Sequence, residues 1–333
     1  MAWHDDQLLV CSTTQLCKDC RLDKLGNIQT GKQAWKMRRA CQSCRGTGYS
    51  LSEALRGLWR DRPGYLVCGG PSLAQLPLER LRERGIVSLA INNAGAYAPT
   101  KAHTFGDPQT KFHSDMYLDP AVISFVPFGK LYKEIQIKHG GQFYPTSIKP
   151  VECPNVWGFS RTSTYDRNNF LTNESAHWGA KLQPLETITG RFSKLCTMLL
   201  GFRLLHYLGV NRIYLLGVDF DIPSRDSGKP GYAWGDNASS GNKVWDDKIN
   251  PMMHELKPVM LEGGIDIFNC NPNSKCDAFD YVSFEDSIKD CKGPLEDEPL
   301  DCNDWYDKKK HESDHKLHPT PLGIQDIVAL RNR

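Results

Sequence analysis

The stretch Tyr65-Leu66-Val67-Cys68-Gly69-Gly70-Pro71-Ser72-Leu73 constrains the fold more than any other part of the chain. Residues 65–68 are apolar without alternation. A strand of that kind is stable only with both faces covered, as in a parallel sheet between layers of helices. Two glycines then allow a turn that other residues resist, and a close approach of a ligand to the main chain. Pro71 suits the first position of a helix, where its missing N–H is not needed. Free amides and the helix dipole at such a point favour an anion such as a phosphate. A plain strand-to-helix turn has the same spelling, so the reading depends on what gathers around it.

Related segments follow. Residues 73–84 read as a helix, and residues 86–91, 102–105 and 121–126 as buried strands. Asn92-Asn93 and Gly106-Asp107-Pro108 stand at strand ends, the place where open α/β sheets collect ligands. Asn92 suits a ribose or base edge, and Asp107 a sugar hydroxyl or a divalent cation. Residues 127–186 look irregular, like an inserted loop region or lid. Thr189-Gly190 opens a long helix with apolar residues at 192, 195, 199, 202, 205 and 208, and Gly209 fits its end. A strand over 212–220 closes on Asp219. A helix over 251–261 bears His254, and a last strand over 265–269 leads into Asn271-Pro272-Asn273-Ser274. The expected fold class is α/β, a Rossmann-like, mostly parallel sheet flanked by helices, over residues 63–285.

The two ends differ from this middle. The 333 residues carry a net charge of only +2, but residues 18–62 hold eleven Lys/Arg against four Asp/Glu, and residues 285–314 five against eleven. Cys17-Lys-Asp-Cys20 and Cys41-Gln-Ser-Cys44 have the spacing of a four-thiolate zinc site, which would supply much of the folding free energy of so short a module. Residues 1–62 therefore read as a zinc module with a linker helix near 51–59. Its loop interleaves Lys32, Lys36, Arg38 and Arg39 with Trp35, a pattern suited to phosphates and a stacked base, or to a solvated face. Residues 286–333 read as an acidic, solvated tail. Cys291, Cys302, His311, His315 and His318 are too irregularly spaced there to define a metal site. No apolar run has the length of a membrane span, and residues 1–10 carry Asp5 and Asp6 without the apolar core of a signal peptide. The expectation is a cytoplasmic protein whose twelve cysteines are metal ligands or buried thiols.

The ordered set of motifs resembles two related groups: the 6-hydroxymethylpterin diphosphokinase-like domains (domain of unknown function 115) and the bacterial sialyltransferases of glycosyltransferase family 42. The set is Gly-Gly-Pro-Ser-Leu after a first strand, Asn after a second, Thr-Gly opening a long helix, Leu-Gly-Val-Asp-Phe, and Asn-Pro-Asn-Ser. The resemblance covers about residues 64–285. Its combination with extra modules resembles a bacteriophage protein, which would place it in the cytoplasm of a host cell. It implies that Gly69, Gly70, Pro71, Ser72, Asn92, Asp107, Thr189, Gly190 and Ser274 line a nucleotide cleft. It further implies that His254 is a general base toward an acceptor hydroxyl, that Tyr232 steadies the leaving phosphate, and that Asp219 belongs to the same site. Two acids, Glu186 and Asp221, stand where the sialyltransferases carry an arginine and a tyrosine. They disfavour a cytidine-monophosphate sialic acid donor and suit Mg²⁺ held against a diphosphate. The implied function is transfer from a nucleotide-activated donor, first a glycosyltransferase acting on a hydroxyl, such as that of a modified nucleic-acid base. A Mg²⁺-dependent diphosphokinase is the alternative. A non-catalytic nucleic-acid-binding or phage assembly module is a further one.

Overall fold

The structure, a computed structural model, describes residues 9–11, 55–106, 121–127, 133–139, 142–150, 156–159, 197–221, 230–235 and 245–292, together with 117, 119, 130, 153, 170, 171 and 223. Their strands are β1 (Leu9–Cys11), β2 (Pro63–Val67), β3 (Ser88–Ile91), β4 (Ala102–Thr104), β5 (Ile123–Pro127), β6 (Gln136–His139), β7 (Gln142–Pro145), β8 (Val156–Phe159), β9 (Arg212–Leu216), β10 (Asp266–Asn269) and β11 (Asp280–Tyr281). Their α-helices are α1 (Ala94–Tyr97), α2 (Thr197–Tyr207), α3 (Asn250–Glu262) and α4 (Phe284–Lys292). The chain divides into two compact units.

One unit comprises Met1–Leu55, Pro108–Arg161 and Asn303–Arg333. In it β5 and β8 pair in parallel, Ser124 opposite Val156, and β1 pairs antiparallel with β8. β6 and β7 form an antiparallel pair. The stretch expected as an irregular insertion thus contains three strands. They are only four residues long and sit among prolines and glycines, so no period had room to show. The unit includes residues 108–161, which fall within the 63–285 span.

The other unit, Arg56–Asp107 and Thr162–Cys302, carries the sequence of parallel strands β4-β3-β2-β9-β10-β11. Val67 lies opposite Ala90 on one side and Leu216 on the other. The alternate sides of β2 explain its unbroken apolar spelling. Tyr65 and Val67 pack with Leu73, Leu81, Ile86, Ala90, Leu216 and Ile288 on one face. On the other face Leu66 lies against Gly201 of α2, where an added methyl would come within 2.5 Å of Leu66 Cδ1. Fully burying each such Leu or Val stabilises by about 1.5–3 kcal/mol. Helix α2 is buried almost all round, and Gly209 ends it at φ +91°.

The helix expected over 73–84 is instead two five-residue 3-10 segments, Pro71–Gln75 and Leu78–Arg82. Pro77 is the cause. It has no N–H and pushes Leu76 into extended backbone, φ −98° and ψ 143°. Residues 55–59 of the expected linker helix form turns, with Gly57 at φ +69°. No described helix is long and apolar enough to cross a membrane.

Candidate functional site

The strand order reverses direction between β2 and β9: the chain goes from β2 outward to β3 and β4, then returns on the far side of β2 to lay down β9 and β10. In doubly wound sheets that reversal opens a crevice at the carboxyl ends of the two central strands. Here those ends are Gly69-Gly70-Pro71-Ser72 and Gly217-Val218-Asp219.

The two ends cross closely. Gly70 N–H donates to the Gly217 carbonyl at 2.8 Å, and Ser72 N–H donates to Asp219 Oδ2 at 2.9 Å. Gly70 has ordinary extended angles, φ −64° and ψ 157°. Its glycine identity is a matter of room, since a methyl would run into the Asp219 carboxylate and lie 2.6 Å from the Gly217 carbonyl. At Gly69 a methyl would lie 2.5 Å from the Trp234 ring. The glycines admit protein side chains, two of the amides expected to cradle an anion already have partners, and a five-residue 3-10 segment contributes little dipole.

Asp219 is nine-tenths buried, and its other oxygen accepts from Asn271 Nδ2. Phe220, next in the chain, is held at φ +52°, a strained angle for a bulky residue. The loop after β10 is fastened to this carboxylate by Asn271 and otherwise to the main chain beside it. Asn269 Nδ2 and Ser274 Oγ both donate to the Val218 carbonyl, and Lys275 N–H donates to the Asp219 carbonyl at 2.8 Å. The Oγ of Ser274, a residue expected in the nucleotide cleft, also accepts from Cys276 N–H. Lys275 Nζ reaches Asp221 Oδ1 at 2.9 Å.

The same loop ends at His254. Helix α3 runs back between β9 and β10, so its N-terminal turns lie at the carboxyl edge of the strands. His254 Nε2 is 2.7 Å from Asp277 Oδ1, and Asn250 Nδ2 donates to the same oxygen at 2.7 Å. These hydrogen bonds, His254's first, hold the Asp277 carboxyl below the usual carboxylate range. An ionised carboxylate only accepts, so Nε2 carries the proton of this bond and the Nδ1 lone pair is left to act as a base. Pro258, four residues on, cannot donate to the His254 carbonyl, which marks this turn as locally irregular.

Tyr232 stacks on Trp234 with ring centroids 4.9 Å apart and planes 5° from parallel, and Ala233 N–H donates to the Gly69 carbonyl. Tyr97, from α1, lies 6.1 Å from Trp234. Asn92, at the end of β3, takes φ +54°, and its Oδ1 is buried with no hydrogen-bond partner among the described residues; the same holds for Ser72 Oγ. Asp107, Thr189 and Gly190, and the cysteines 17, 20, 41 and 44, lie outside the described residues.

The site thus joins Ser72, Asp219 and His254 through a loop of which the sequence reading used only Ser274. Asn271 entered it only as part of the Asn-Pro-Asn-Ser motif, and Lys275, Asp277 and Trp234 escaped it. The signal for Asp277 was weak, a lone acid in a Cys-Asp-Ala-Phe run. Trp234 was visible as the last letter of Gly-Tyr-Ala-Trp.

Fold and edge together define an open α/β protein with a polar, hydrogen-bonded cluster of strand-end residues at its switch point. No protein-family model matches the chain, and no curated protein matches it significantly. Three solved structures do match. The sialyltransferase CstII from Campylobacter jejuni in complex with the substrate analogue cytidine-5'-monophosphate is 14% identical with TM-score 0.39, over 67% of this chain and 86% of that one. The MAf glycosyltransferase from Magnetospirillum magneticum AMB-1 is 12% identical with TM-score 0.37, over 78% of this chain and 37% of that one. The sialyltransferase CST-II in complex with a trisaccharide acceptor and CMP is 13% identical with TM-score 0.32, over 67% and 86%.

Proposed function

We propose that this chain is a transferase that uses a nucleotide-activated donor, a glycosyltransferase acting on a hydroxyl acceptor. The observation that carries the reading is the switch point between β2 and β9, where three strand ends and the Asn271-to-Asp277 loop meet in one hydrogen-bonded cluster. The donor nucleotide lies in this crevice, bordered by the strand ends that carry Asn92 and Ser72, whose Oδ1 and Oγ are buried with no hydrogen-bond partner among the described residues. Asp107, Thr189 and Gly190 extend the same cleft. Asp219 shapes the turn and does no chemistry itself.

His254 is the general base. Its Nδ1 takes the proton of the acceptor hydroxyl as the acceptor oxygen bonds to the sugar's anomeric carbon and the bond to the leaving phosphate oxygen breaks. Asp277 fixes the imidazole's tautomer. Tyr232 assists the departing phosphate. A base of this kind contributes roughly 10²–10⁴-fold. In a donor-hydrolysis assay across nucleotide sugars, His254→Ala is expected to lose about that factor in kcat with donor binding retained. Full activity in that variant sinks its role, and no turnover of any donor sinks the transferase.

The diphosphokinase alternative needs Mg²⁺. Among the described residues no three acids, histidines or cysteines come together as a metal site, and the carboxylates of Asp219 and Asp221 face Ser72, Asn271 and Lys275. Glu186, the other acid of that reading, lies outside the described residues. Protection against heating by ATP with Mg²⁺, and by no nucleotide sugar, would favour this alternative. The proposal extends to the head: Cys17, Cys20, Cys41 and Cys44 hold one structural zinc, and the basic loop between them presents a nucleic-acid acceptor. One zinc per chain by elemental analysis, lost in Cys41→Ser, is the expected result.

A further inference from the structure

A leaving nucleotide carries negative charge, and the turn that should meet it has spent the amides of Gly70 and Ser72 on Gly217 and Asp219. A positive group must come from elsewhere on the same edge. Lys275 has the right support. Its main chain is anchored to the Asp219 carbonyl, while its side chain is about half exposed and reaches across to Asp221, also about half exposed. An exposed pair of this kind is worth little in water, so its exchange for a phosphate costs little. Asp246 is the other carboxylate whose charge acts on the Lys275 ammonium.

The geometry points to Lys275 as the residue that receives the donor's phosphate or diphosphate, with Asp221 as an internal placeholder that occupies the ammonium until the anion arrives. This rests on the proposed transferase reading, and it gives Asp221 a part different from magnesium binding. The two carboxylates near Lys275 then act as a filter. A weak anion does not displace them; a diphosphate, with more charge and more acceptor oxygens, does.

The two roles predict opposite signs. Titration calorimetry with inorganic pyrophosphate, in chelator, is carried out on the full chain and its variants. Lys275→Gln is expected to bind about tenfold more weakly. Asp221→Asn is expected to bind up to about fivefold more tightly, because the competing carboxylate is gone. Both side chains are exposed and the anchoring N–H belongs to the main chain, so folding is retained; circular dichroism checks this. Unchanged binding in Lys275→Gln overturns the proposal. Weaker binding in Asp221→Asn, or binding that needs Mg²⁺ and is lost in that variant, overturns it in favour of a metal ligand. Calorimetry with nucleotide sugars separates the two readings. If they bind and Lys275→Gln is indifferent, the anion site falls and the transferase stands. If pyrophosphate follows the expected signs and no nucleotide sugar binds, the anion site stands and the transferase falls. No binding of either, even to Asp221→Asn, ends both.

Discussion

Single side chains at the crevice have separable jobs. Asp219 accepts from Ser72 N–H and Asn271 Nδ2 and is nine-tenths buried, so Asp219→Asn places a donor against one of two donors. A loss of about 1–3 kcal/mol in chemical denaturation is expected, since a buried donor is left without an acceptor. Gly69→Ala drives a methyl into the Trp234 ring and costs about 1–3 kcal/mol. Combined with Trp234→Leu, it should cost less than the two single changes summed, which a double-mutant cycle reads directly. Asp277→Asn leaves the hydrogen bond with His254 geometrically possible but lets the imidazole take the wrong tautomer. On the proposed mechanism, kcat falls by roughly 10–100-fold while donor affinity stays.

Helix α4 shows how an element is held where its residues are mostly polar. Ser283 Oγ accepts from Asp286 N–H and donates to its carboxylate, a reciprocal cap at the helix start. Glu285 and Asp286 stand in the first turn, with Lys289 and Lys292 in the last, as the helix dipole favours. Ser287 meets the Tyr65 hydroxyl at 2.8 Å in the core, and Asp290 takes Arg212 and Tyr214 together. Ser283→Ala should cost about 0.5–2 kcal/mol in thermal or chemical melting. The capping signal, Ser-Phe-Glu-Asp, stood in the sequence; the anchoring partners, 76 and 222 residues away along the chain, did not. Element boundaries followed local chemistry where a breaker was present. Gly209 ends α2 as expected, and Pro77 explains why a leucine-rich stretch forms two 3-10 segments where its spacing suggested one helix.

At the scale of the molecule, burial sets the response to acid. His103, in β4, is pushed down to about 4 by burial. His206, in α2, is pushed down to about 3 by burial and then by the Arg203 charge. An unfolded histidine titrates near 6.5, so between these values the unfolded chain binds more protons than the folded one. Stability is therefore full above about pH 6.5 and falls as the pH drops through 5 toward 4. In His103→Gln the slope of unfolding free energy with pH, measured by urea titration, should flatten by up to about 1.4 kcal/mol per pH unit. By itself the sequence determined the mostly parallel α/β class and the approximate places of β2, β3, β4, β5, β9 and β10, although β9 stops at Leu216 and does not run on to Asp219, because unbroken apolar runs, glycines and prolines act over a few residues. It also picked out Ser72, Asn92 and Asp219 as polar residues near such ends, and His254 on a later helix. Only tertiary structure decided that β9 lies beside β2, that Gly70 is a glycine because Asp219 fills its space, and that one loop ties Asp219 to His254. Those facts depend on contacts between segments 23, 52 and 147 residues apart, and no local period or spacing encodes contacts at such distances.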